Sequence, residues 1–112
     1  MLTPKKYTVW MRLTPFQLKT IQTTFRQCFG EKDHLWLFGS RVDDKKKGGD
    51  IDLYVQTPEL DTKKLDSQRS KFLLTLYNIL GEQKIDIVLH RINDNIDLPI
   101  YRVAQKTGVL LI

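Results

Sequence analysis

Residues 37–55, Leu-Phe-Gly-Ser-Arg-Val-Asp-Asp-Lys-Lys-Lys-Gly-Gly-Asp-Ile-Asp-Leu-Tyr-Val, decide the fold. The apolar run His34 to Phe38 reads as a buried strand that runs into Gly39-Ser40. The nine residues 41–49 are polar and end in two glycines, which suggests a loop. Asp50 to Val55 then alternates polar and apolar, the period of a strand with one face in the core. Ile51, Leu53 and Val55 take the core side. Asp50 and Asp52 share the other face, with backbones roughly 6.6 Å apart. Two carboxylates held side by side repel each other, and a divalent cation such as Mg²⁺ turns that repulsion into binding.

Downstream, Thr57-Pro58 breaks the chain and Asp61 is placed to cap a long helix. Its apolar positions are Leu65, Phe72, Leu73, Leu76, Ile79 and Leu80, and Gly81 ends it. Lys84 to His90 reads as a third strand. Asp86 interrupts its apolar run and faces away from Ile85, Ile87 and Leu89. A lone Asp there is costly unless it is exposed, paired or bound to a metal. If this strand lies beside the Asp50 strand, three carboxylates converge, enough for two metal ions roughly 3.5–4 Å apart. Leu98 to Lys106 reads as a short helix with Pro99 in its first turn, stopped by Thr107-Gly108, and the last four residues close the chain as a strand or packed tail.

Upstream, Thr14-Pro15 reads as a helix start. Leu18, Ile21, Phe25 and Cys28 or Phe29 follow at helical spacing, with Gly30 at the end. Tyr7, Val9, Met11 and Leu13 alternate, as in a short strand or an extended arm. Helices thus alternate with short strands in one α+β (α/β-like) domain over residues 1–112, a small mixed sheet flanked by helices.

Composition sets the outer bounds. With 41% hydrophobic and 28% charged residues the chain is ordinary for a globular protein and unlike a disordered one. No apolar run approaches the roughly 18 residues of a membrane helix, so no membrane contact is expected. One cysteine allows no intrachain disulfide. That, and the lack of a signal-like N-terminus, favours the cytoplasm. The net charge of +5 fits an anionic partner but identifies none. No helix-turn-helix, zinc spacing or aromatic RNA motif points to nucleic acid as a direct ligand.

Gly39 permits close backbone approach at the strand end, and Ser40 and Arg41 begin the next turn. Backbone N–H groups there attract phosphate, with help from the Ser40 hydroxyl and the Arg41 guanidinium. Together, Gly39-Ser40, the nine-residue spacer, Asp50-Ile51-Asp52-Leu53 and Asp86 resemble the signature of the polymerase-beta-type nucleotidyltransferase superfamily. The short chain resembles its minimal, MNT-domain members, the antitoxins of HEPN/MNT pairs. The resemblance covers residues 15 to 112 and implies the polymerase-beta-type core. It implies transfer of AMP from ATP to a tyrosine of a HEPN toxin, with Asp50, Asp52 and Asp86 holding two Mg²⁺ ions and Gly39, Ser40 and Arg41 on the nucleotide.

Two alternatives keep the same residues. One is a steric antitoxin without catalysis, against which the three intact aspartates argue. The other is nucleotidyl transfer to a small molecule or a nucleic-acid end, together with a separate helical subunit. The acceptor, the preferred nucleotide and homo-oligomerisation stay open. Lys45, Lys46 and Lys47 read as a solvated loop, or as a lid over phosphate or partner. His34, His90 and Cys28 read as structural, Trp10, Trp36, Tyr54 and Tyr77 as packing residues, and Tyr101 as a candidate for a partner surface.

Overall fold

The computed structural model describes residues 13–39, 51–81 and 83–112. The expectations for the N-terminal arm and for Lys45, Lys46 and Lys47 fall outside them. Helix α1 spans Pro15–Cys28 and opens with a capping box. Gln17 N donates to Thr14 Oγ1 at 3.0 Å, and Thr14 N donates to Gln17 Oε1 at 2.9 Å. Pro15 at the first turn lacks the N–H that would have gone unpaired there. Strand β1 is His34–Phe38 and strand β2 is Ile51–Thr57. Helix α2, Thr62–Leu80, is capped by Asp61, whose Oδ1 accepts from Lys63 N and Lys64 N, and it ends at Gly81 with φ 83°. Strand β3 is Ile85–Arg91, helix α3 is Pro99–Thr107 and strand β4 is Val109–Leu110.

The strands form one mixed sheet in the order β3-β2-β1-β4. β2 and β3 are parallel, so they need a long crossover, which α2 supplies; β1 pairs antiparallel with both β2 and β4. One face carries Leu35, Leu37, Ile51, Leu53, Val55, Ile85 and Ile87 into the main core with α1 and α2. There Phe25 stacks on Phe29 at 4.7 Å, and Phe72 meets both rings edge-on at 5.6 and 5.7 Å. On the other face a smaller cluster of Phe38, Tyr54, Tyr101 and Ala104 seats α3. Among the described residues no helix is long and apolar enough to cross a membrane.

The α+β class and the small mixed sheet are therefore as expected. Three details differ. β2 continues through Gln56 and Thr57, because both still find partners in β3. Ile79 is 48% exposed and Tyr77 is exposed too, so α2 buries a narrower stripe than its apolar residues suggested. Tyr101 is buried at 7% exposure, in the cluster beneath α3 rather than on a free surface.

Candidate functional site

The parallel register pairs Asp52 of β2 with Asp86 of β3. Their neighbours Ile51, Leu53, Ile85 and Ile87 turn into the main core, so both carboxylates lie on the opposite face of the sheet. Paired strands run about 4.8 Å apart, which makes the two side chains direct neighbours. Asp52 is half-buried and Asp86 is exposed.

β1 closes the other flank. Its last residue, Phe38, is the register partner of Asp52, so the chain leaves the sheet beside that carboxylate. The next residue, Gly39, has φ 78°, a conformation side chains rarely adopt. A Cβ at Gly39 would lie 2.1 Å from Asp52 Oδ2, so only glycine fits against this carboxylate. The close backbone approach expected of Gly39 is thus made to Asp52. Of the expected site residues the structure brings Gly39, Asp52 and Asp86 together, while Ser40, Arg41 and Asp50 lie outside the described residues.

Two adjacent carboxylates offer hard oxygen donors, the ligand type that Mg²⁺ selects. Among the described residues no three His, Cys, Asp or Glu side chains gather into a metal-binding group; Asp52 and Asp86 make a pair, and Asp50 is not among those residues.

Two register positions along β2 from Asp52, a polar network crosses the same face, and sequence reasoning missed it. The hydroxyl of fully buried Tyr54 receives Gln56 Nε2 at 3.1 Å and Gln105 Nε2 at 2.7 Å, and lies 2.6 Å from His90 Nδ1. The His90 ring stacks on Tyr101, with centroids 3.8 Å apart. Burial pulls the His90 pKa below its ordinary value, against the opposing pull of Asp97 and Asp94. Burial, followed by Tyr54, pushes the Tyr101 phenol up. The alternation Asp52-Tyr54-Gln56 facing Asp86-Val88-His90 was the available signal, but only the parallel register turns it into contacts.

His34 and Cys28, read as structural, both make contacts within the fold. His34 Nδ1 lies 3.2 Å from Ile112 O, and Cys28 packs at the edge of the main core with its thiol pKa raised by burial. A separate polar recess of about 450 Å³ lies at the far end of β2, lined by Asp33, Thr57, Glu59, Lys64 and Gln68 among others. No protein-family model and no curated protein matches this chain.

Proposed function

We propose that the chain is a minimal nucleotidyltransferase of the polymerase-beta type that moves AMP from ATP to a tyrosine hydroxyl of a partner protein. One observation carries this reading: Asp52 and Asp86 are register partners on the face away from the main core, and the Gly39 backbone lies against the Asp52 carboxylate. Each feature alone is common. Their coincidence with the Gly39-Ser40, Asp50-x-Asp52 and Asp86 pattern is what favours nucleotidyl transfer over a solvated strand face.

Asp52 and Asp86, with Asp50, would hold Mg²⁺, which fits their oxygen donors. Bound there, magnesium supplies charge neutralisation at phosphorus and makes the acceptor hydroxyl more acidic. The chain's own groups do the rest. Gly39, without a side chain, lets the Asp52 carboxylate sit against the end of β1, and Ser40 and Arg41 follow to contact the phosphates. Asp86, the more exposed carboxylate, accepts the proton of the attacking hydroxyl. The hydroxyl oxygen bonds to the α-phosphorus, and pyrophosphate leaves with the electrons of the broken P–O bond. The acceptor class, a HEPN toxin tyrosine, follows from the MNT resemblance.

The test is transfer of label from α-³²P-ATP, with Mg²⁺, to whatever protein co-purifies with the chain. A partner mass raised by one or more AMP units is the expected result. No transfer, with inhibition of the partner intact in Asp86→Asn, would replace this reading with steric blocking.

A further inference from the structure

A phenol oxygen has one hydrogen to give and two lone pairs to fill. At Tyr54 both amide nitrogens, Gln56 Nε2 and Gln105 Nε2, are donors and take the lone pairs. The remaining partner, His90 Nδ1 at 2.6 Å, must then accept the Tyr54 hydrogen. We propose that Tyr54 fixes His90 as the neutral tautomer with its proton on Nε2, and that a proton taken from solvent onto Nδ1 releases helix α3 from the sheet.

The release follows from hydrogen-bond counting. With Nδ1 protonated, ring and hydroxyl each present a hydrogen to the other. Tyr54 then gives up one amide donor or turns its own hydrogen onto one, and it does so in a fully buried position, where an unmade hydrogen bond is costly. The amide at risk on one side is Gln105, the hydrogen bond that ties α3 to the centre of the sheet. The rest of the α3 seat is Tyr101 and Ala104 on the small cluster, and Gly108 close against Phe38. Since Phe38 is the register partner of Asp52, loosening α3 uncovers the residue beside the carboxylate row.

The groups around His90 decide its charge between them. From β2 come the Tyr54 hydroxyl and, through it, Gln56; from α3 come the stacked Tyr101 ring and, through Tyr54, Gln105. From the β3–α3 connection come the carboxylates of Asp94 and Asp97, which favour the charged ring. Both are already engaged, Asp94 by Arg91 at 2.7 Å and Asp97 by Arg102, which offsets their pull. Burial favours the neutral ring, and so does a Tyr54 hydrogen directed at Nδ1.

The experiment is ¹⁵N NMR of the His90 ring in the full chain, with amide exchange across α3 followed over the same pH range. At neutral pH Nδ1 should read as unprotonated and Nε2 as protonated. Between about pH 8 and about pH 5, intrinsic-rate-corrected exchange at Ala104 and Gln105 should rise roughly threefold to tenfold, the worth of one hydrogen bond, while α1 stays unchanged. His90→Gln keeps an acceptor for Tyr54 but cannot titrate, so its α3 should stay protected throughout. Tyr54→Phe, if His90→Gln fails to fold, should move the His90 midpoint up. A proton on Nδ1 at neutral pH, or α3 exchange that ignores the charge of His90, overturns the proposal.

Discussion

The two faces of this sheet are built from the same strands and do opposite work. The face under α1 and α2 is aliphatic and aromatic, continuous from Leu35 through Ile87, and among the described residues the strands bury no ionisable group on it. The face under α3 has a small cluster in its middle, a carboxylate pair on one side of it and a hydroxyl–amide–imidazole network on the other. One residue of each strand pair points each way, so Ile51, Leu53 and Val55 anchor the strand that presents Asp52, Tyr54 and Gln56. Stability is concentrated on one side, which leaves the other free to hold like charges and buried polar groups that cost energy.

The contrast is broken hardest at Phe72. It is fully buried and meets both Phe25 and Phe29 edge-on. Phe72→Ala should lose about 3–5 kcal/mol in denaturant unfolding. A loss below about 1 kcal/mol would mean that the helical face is not the main core. Asp86→Asn tests the other side. It should lower nucleotidyl transfer by about 10²- to 10³-fold, equivalent to about 2.7–4 kcal/mol at the transition state. Unfolding free energy should move by less than about 0.5 kcal/mol, because the residue is exposed. Transfer at wild-type rate would remove Asp86 from the chemistry.

The helical face was legible in the sequence because its periods are strong. Thr14-Pro15, Asp61 and Gly81 mark helix ends through local hydrogen bonds and backbone angles that involve only a few neighbouring residues. The alternation in Ile51–Val55 and Ile85–Leu89 placed Asp52 and Asp86 on the faces they occupy. That they are register partners depended on strand order, which no local pattern carries. The α3 face was less legible for the same reason. Tyr101 sits on a short helix whose apolar residues point several ways, with Ile100 and Val103 exposed and Tyr101 and Ala104 buried. Gln56, Gln105 and His90 look like ordinary surface residues until Tyr54 brings them to one oxygen.

Two glycines sharpen the comparison at the next level down. Gly39 and Gly81 both hold positive φ, 78° and 83°. Alanine at Gly81 would meet nothing within 4 Å, whereas at Gly39 it would meet the Asp52 carboxylate at 2.1 Å. Gly81→Ala should cost about 1–3 kcal/mol of backbone strain and leave transfer unchanged. Gly39→Ala should carry a similar strain and in addition displace the Asp52 carboxylate, so transfer falls with it. Equal transfer in the two variants, measured with α-³²P-ATP on folded protein, would separate the Gly39 approach from function.

The smallest expected effect is set by a proton. His90 has a folded pKa held below its ordinary value of 6.5 by burial. The unfolded chain therefore binds the proton first as pH falls, and stability drops through the window that starts near 6.5 and ends at the folded value. Above 6.5 the His90 contribution is fully present. Glu59 works in a separate window. Its pKa is lowered from 4.5 by the Lys64 hydrogen bond, so its contribution disappears only at more acid pH, and the solvent around its well-exposed partner Lys64 keeps that contribution small. Thermal unfolding between about pH 7 and about pH 5 thus isolates histidine. Subtracting the His90→Gln curve from that of wild type leaves the His90 contribution alone. The difference in Tm should shrink the wild-type advantage as pH falls. If His90→Gln loses as much as wild type over that range, the α3 face holds no proton-linked energy, and its contrast with the helical face is one of packing alone.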